Sequence, residues 1–101
     1  MNIAELFNLN GRTALVTGGN SGIGEAMARA LGLAGARLVL AARRESALEE
    51  AAGKMRADGI HADILPVDLS SPENALACGK RAGETFGPID ILINAAGVNL
   101  R

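Results

Sequence analysis

Tyrosine and tryptophan are absent from this 101-residue chain, and Phe7 and Phe86 are its only large aromatic residues. A core must therefore be packed from Ala, Leu, Ile and Val. A single cysteine, Cys78, excludes an internal disulfide and suits a reducing compartment, with the cytoplasm as the expected location. No stretch reaches the roughly 18 apolar residues of a membrane span. The opening Met1-Asn2-Ile3-Ala4-Glu5-Leu6 also lacks the basic-then-apolar order of an export signal. Charge of one sign is lacking too. The formal net charge is -1, and Lys and Arg are scattered, so no basic field exists to gather nucleic acid or an anionic membrane.

What is present is 49% hydrophobic and 21% charged, the composition of one globular domain at most. Four short apolar runs stand out: Thr13-Ala14-Leu15-Val16-Thr17, Leu38-Val39-Leu40-Ala41, Ile64-Leu65-Pro66-Val67 and Ile89-Asp90-Ile91-Leu92-Ile93. They alternate with segments of helical period, the pattern of βαβ units on a parallel sheet. Their continuous apolar character points to strands covered on both faces.

The first helix is expected near Gly22, burying Ile23, Ala26, Met27, Ala30, Leu31 and Ala34. A second carries Leu48, Ala51, Ala52 and Met55 inward, with Glu50 and Lys54 paired outside. A third opens with Ser71 as N-cap and Pro72, then buries Ala75, Cys78, Ala82 and Phe86. Gly35, Gly59 and Gly87 stand where left-handed helix ends are needed. With right-handed crossovers, this βαβαβαβ order is an α/β doubly wound parallel sheet, half of a Rossmann fold, with strand order 3-2-1-4. The fourth strand is expected to have an open, apolar edge, an aggregation hazard in isolation. Residues 1–101 are therefore expected to be the dinucleotide-binding part of a single larger domain.

The chemistry is concentrated after the first strand, in Thr17-Gly18-Gly19-Asn20-Ser21-Gly22-Ile23-Gly24. Gly18 permits a tight turn, Gly22 admits close approach of the backbone to a pyrophosphate, and Gly24 allows helix to pack on strand. Amides at the helix start then face phosphate oxygens. An ordinary glycine-rich turn is the bland alternative, and the position in a βαβ unit argues against it. A nucleoside-triphosphate loop is excluded, because Glu25-Ala26 stands where Lys and Ser or Thr are required.

This glycine spacing resembles the short-chain dehydrogenase/reductase family. Asn94-Ala95-Ala96-Gly97 is similar to the family's Asn-Asn-Ala-Gly motif, with Ala95 replacing the second Asn, and Asp68 matches its adenine-contacting Asp. The leader Phe7-Asn8-Leu9-Asn10-Gly11-Arg12 resembles gluconate dehydrogenase and oxoacyl-carrier-protein reductase members. The resemblance implies an NAD(P)-dependent oxidoreductase transferring hydride between nicotinamide and a small carbonyl or alcohol, and a homo-oligomer for the parent protein. Cofactor contacts are implied at Gly18, Asn20, Ser21, Gly22, Ile23 and Gly24, at Asp68 and Leu69, and at Asn94, Ala95 and Gly97. Asp68 has an alternative role as a cap for the turn near Ser70 and Ser71. Asn94 is placed to tie two strand ends together. Family members use a Ser, a Tyr and a Lys for the reaction; with no tyrosine here, no catalytic position can be named.

Cofactor choice is read from the end of the second strand. A carboxylate there binds the ribose hydroxyls of NAD and repels the extra phosphate of NADP. Ala42 takes that place and Arg43-Arg44 follow, so NADP is expected over NAD, with Arg43 as the phosphate contact. The alternative for these arginines is a solvated pair at a helix start. His61 and Cys78 read as structural or incidental, without partners for metal or nucleophilic chemistry. A non-catalytic NAD(P) sensor is the rival function. A methyltransferase ranks lower, because the acidic residue it wants after the second strand is missing.

Overall fold

A computed structural model describes residues 8–18, 22–70 and 72–95 of the chain. The element order is β1 (Thr13–Thr17), α1 (Gly22–Leu33), β2 (Arg37–Ala42), α2 (Glu45–Ala57), β3 (Ala62–Pro66), α3 (Pro72–Phe86) and β4 (Ile91–Asn94). The strands form one parallel sheet in the order β3-β2-β1-β4. Every residue of β1 is buried, as expected of a central strand covered on both faces. Ala14 and Val16 point into one apolar layer with α1 and α2, and Leu15 points into the other with Cys78 and Ala82 of α3.

Several strand boundaries shift by one or two residues from the sequence expectation: β2 takes in Arg37 and Ala42 at its two ends, and β4 extends to Asn94. β3 starts at Ala62 rather than Ile64 because Asp63, a poor strand residue, is paired: its carboxylate accepts from Arg37 of the neighbouring β2 at 3.0 Å. Val67 lies past the strand but still donates its N–H to the Ala42 carbonyl. β4 starts at Ile91 rather than Ile89, and just ahead of it the Asp90 side chain takes part in the ladder. Asp90 Oδ2 accepts the Thr13 N–H at 2.9 Å while the Asp90 N–H donates to the Thr13 carbonyl.

The buried face of α1 is a correction. Ile23 and Met27 are 39% and 40% exposed, and Ala26 and Ala30 are exposed as well; Gly24 and Ala28 face the core, with Leu31 packed beside it. Gly24, Ala28 and Gly32 recur every four residues along one side, and a ridge of such small residues brings the helix close to the sheet. A Cβ at Gly32 would stand 3.2 Å from Leu38 Cδ1. The larger apolar residues are turned aside, and a stripe search weighted by hydrophobicity misses the glycines.

The other helices follow their sequence patterns. Leu48, Ala51, Ala52 and Met55 of α2 are buried, and Glu50 meets Lys54 at 3.7 Å outside. In α3, Cys78 and Ala82 are buried with Phe86 packed against them; Ser71 and the side chain of Ala75 lie outside what is described. α2 ends in a Schellman motif, with Ile60 N–H donating to Met55 O and Gly59 N–H to Arg56 O. Gly59 holds φ at 81°, and Gly35 ends α1 in the same pattern at 109°.

Candidate functional site

The chain runs outward from β1 to β3, then returns across the sheet to place β4 on the other side of β1. Ligands of open parallel sheets bind where the strand order reverses in this way, at the carboxyl ends of the strands. The site is therefore sought at the ends of β1, β2, β3 and β4.

At the end of β1, Gly18 turns the chain with φ 72° and donates its N–H to the Ala41 carbonyl at 2.7 Å. Gly22 opens α1 with φ 53°, a conformation that L side chains rarely adopt. A Cβ at Gly24 would stand 2.8 Å from the Gly18 carbonyl carbon and 3.1 Å from Ala95 Cβ. Only glycine there lets the first turn of the helix seat against the end of β1. Gly19, Asn20 and Ser21 lie outside the described residues, as does Gly97.

A cleft of about 290 Å³ opens beside Gly18, lined by Ala42, Arg43, Val67, Asp68, Leu69 and Ser70. Its walls are the ends of β2 and β3, held together by the Ala42–Pro66 register. Asp68 Oδ1 accepts the Ser70 N–H at 2.9 Å. The Ser70 amide, then its hydroxyl, and more weakly the Arg43 guanidinium hold this exposed carboxyl below its ordinary value, against a small opposing effect of burial. The turn role weighed for Asp68 is thus realised through Ser70, inside the cleft rather than away from it. Arg43 lies on the bend between β2 and α2. Arg44 is the N-cap of α2 without a side-chain capping bond.

At the reversal of strand order, the Thr17 hydroxyl donates to Asn94 Oδ1 at 2.8 Å, and the Ala95 N–H donates to the Thr17 carbonyl at 3.1 Å. Asn94 thereby ties β4 to β1, as its place in the sequence suggests. Thr17 was not singled out by sequence reasoning; its signal is a hydroxyl at the last position of an otherwise apolar strand. From the sequence, Ser70 reads only as part of a turn. The structure gathers Gly18, Arg43, Asp68 and Leu69 around one cleft, while Asn94, Ala95 and Ile23 are not among the lining residues.

His61 and Cys78 stand apart from this edge. His61 Nε2 lies 3.3 Å from Asp63 at the start of β3, and Cys78 is buried on α3, where desolvation pushes its thiol up. Among the described residues no group of three metal-ligating side chains occurs, and no helix is long and apolar enough to cross a membrane.

Residues 12–101 match the family model for the short chain dehydrogenase. This chain belongs to the short-chain dehydrogenase family. A short chain dehydrogenase of Pseudocercospora fijiensis is 42% identical over 90 residues, covering 89% of this chain and 29% of that protein. Among solved structures, a 3-oxoacyl (acyl-carrier-protein) reductase from Agrobacterium tumefaciens with NADP bound is 38% identical, with a TM-score of 0.84, over 91% of this chain and 35% of that one. The L-sorbose reductase of Gluconobacter frateurii, complexed with NADPH and L-sorbose, is 36% identical with a TM-score of 0.82, over 93% of this chain and 36% of that one. This short-chain dehydrogenase sequence thus spans well under half the length of the relatives it matches.

Proposed function

We propose that residues 1–101 supply the dinucleotide-binding part of a single domain in an NADP(H)-dependent oxidoreductase acting on a small carbonyl or alcohol. The observation that carries the reading is the cleft at the carboxyl ends of β1, β2 and β3, lined together by Gly18, Arg43 and Asp68 and next to the reversal of strand order at β1. Its volume lies near the lower end for ligand pockets and suits the adenosine half of a dinucleotide.

The residues present fit that cofactor by charge and shape. Ala42 brings no carboxylate against a 2′-phosphate, and Arg43 offers a planar guanidinium to it. We assign the pyrophosphate to the loop from Gly18 through Asn20, Ser21, Gly22 and Ile23 to Gly24, where helix amides favour anions. Asp68 and Leu69 take the adenine; Asn94, Ala95 and Gly97 take the nicotinamide-side ribose. The bound nicotinamide supplies or accepts the hydride, and these residues bind and orient it. The NADP and NADPH in the two reductase structures support the phosphorylated cofactor. The reading includes a cytoplasmic location, in keeping with a buried reduced Cys78, and a homo-oligomeric assembly.

The test is fluorescence titration of the protein with NADPH and NADH, in parent and Arg43→Ala. A charge-assisted hydrogen bond contributes roughly 1.5–3 kcal/mol, so the variant should bind NADPH about ten- to a hundredfold more weakly with NADH nearly unchanged. Tighter binding of NADH by the parent, or an unchanged ratio in the variant, overturns the assignment of Arg43.

A further inference from the structure

Away from the cleft, reactive chemistry is concentrated in the turn that leads into β1. The Arg12 N–H donates to the Leu9 carbonyl at 3.0 Å, closing a β-turn with Asn10 and Gly11 at its two central positions. Asn10-Gly11 is the only Asn-Gly pair in the sequence, and both residues are exposed. Gly11 holds φ at 82°, and among the described residues its N–H has no acceptor and nothing lies within 4 Å of where a Cβ would stand. The amide nitrogen is thus open to water. The Asn10 side chain lies against the end of α1: a Cβ at Gly35, the left-handed residue that closes the helix, would stand 3.0 Å from Asn10 Cγ. Beside it the Leu9 N–H donates to the Ala34 carbonyl at 2.8 Å, and Leu9 packs against the core. The last carbonyls of a helix carry partial negative charge, so a neutral amide suits this place and a carboxylate does not.

We infer that Asn10 is a site of spontaneous deamidation in the folded protein, and that its conversion to a carboxylate loosens the clasp between the leader and the end of α1. The Gly11 nitrogen, on giving its proton to hydroxide, adds to Asn10 Cγ. The Cγ–Nδ2 bond then breaks, and ammonia leaves with a proton taken from water. Water opens the resulting succinimide at either carbonyl, to aspartate or to isoaspartate. The sum is asparagine plus water giving aspartate or its isomer plus ammonia, with nothing oxidised or reduced. Both products place a negative charge beside the negative end of the helix. Isoaspartate also routes the main chain through Cβ, which lengthens the path from Leu9 to Arg12 and breaks the bond that closes the turn. The inference is independent of the cofactor reading.

The experiment holds the folded protein in mildly alkaline buffer, well below its melting temperature, and maps its peptides by mass spectrometry over time. Asn10 should be lost ahead of every other asparagine, with aspartyl and isoaspartyl peptides and free ammonia as products and a rate that rises with hydroxide. Asn10→Gln would need a larger ring and should stay unmodified. Asn10→Asp stands for the first product, and both it and the aged parent should melt a few degrees below fresh parent. A protein that keeps Asn10 when folded and loses it only in urea, or that loses it no faster than its other asparagines, overturns the inference. Asn10→Asp and aged parent melting together with fresh parent overturns the loosening of the clasp.

Discussion

The Thr17 hydroxyl donates to Asn94 Oδ1 at 2.8 Å across the β1–β4 register pair, so a buried side chain at one strand end locks the orientation of an exposed amide at the other. This bond lies where the sheet reverses its strand order, beside the glycine loop. Thr17→Val keeps the branched shape and removes the donor. We expect a loss of about 0.5–1.5 kcal/mol in unfolding free energy, because Asn94 can turn to water in exchange. NADPH affinity should fall as well, while Thr17→Ser retains both. Urea denaturation and cofactor titration of the two variants measure this; a Thr17→Val protein equal to the parent in both would make the bond incidental.

Gly22 and Gly24 are constrained differently and should separate experimentally. Gly24 has the Gly18 carbonyl carbon 2.8 Å from where a Cβ would lie, so Gly24→Ala should cost about 1–3 kcal/mol of stability, as overpacking does. Among the described residues nothing lies within 4 Å of a Cβ at Gly22, and its demand is the positive φ that asparagine tolerates best among other residues. Gly22→Asn should therefore fold with little loss of melting temperature and yet bind NADPH weakly, if the loop backbone approaches a pyrophosphate. Undiminished NADPH binding by Gly22→Asn would reduce the glycine to a turn residue.

On the proposed cofactor reading, Ala42 occupies the position from which a carboxylate would meet the ribose hydroxyls. Ala42→Asp places a negative charge beside Arg43 and against a 2′-phosphate. It should shift the NADPH-to-NADH affinity ratio toward NADH by at least about tenfold, with NADH binding held or improved. Raising the ionic strength should weaken NADPH binding to the parent more than NADH binding, since the cleft is open to solvent. Titration at two salt concentrations gives both readings.

The pH dependence of folding has a defined sign at Asp68. Its folded value lies below the ordinary 3.8 because the Ser70 amide and hydroxyl favour the charged form. Stability from this group is therefore fully present above the unfolded value and is lost as pH falls through the folded one. Asp68→Asn should lower the denaturation midpoint slightly near neutrality, where that stability is present, and flatten the acid limb below about pH 4, so that the two profiles converge in acid. Parallel acid limbs in the two proteins would show that the Ser70 contacts do not bias the ionised form.

Much of the fold was legible in the residues because its signals are local. Continuous apolar runs announced the parallel strands, although only β1 and the middle of β2 are covered on both faces while Leu92 of β4 is exposed, and the α2 stripe of Leu48, Ala51, Ala52 and Met55 named its buried face. Gly35 and Gly59 marked helix ends that no other residue could close so readily. The glycine loop, Arg43, Asp68 and Asn94 could be chosen in the same way, since each follows directly on an apolar run. The face that α1 buries could not be chosen so. Ile23 and Met27 outweigh Gly24 on any scale of hydrophobicity, and close approach to the sheet reverses that order.

Tertiary structure also decided which polar groups meet. The pairing of Asp63 with Arg37, which admits a carboxylate into β3, and the bond from Thr17 to Asn94 depend on which strands are neighbours and in what register. Such contacts span 26 and 77 residues of chain and leave no periodic trace. The sequence by itself determined which elements form and where they end, because those choices are settled within a few residues by dihedral preference and side-chain period. Only the folded sheet decided that Arg43, Asp68 and Ser70 share one cleft, because that depends on adjacent strands ending level with one another in space.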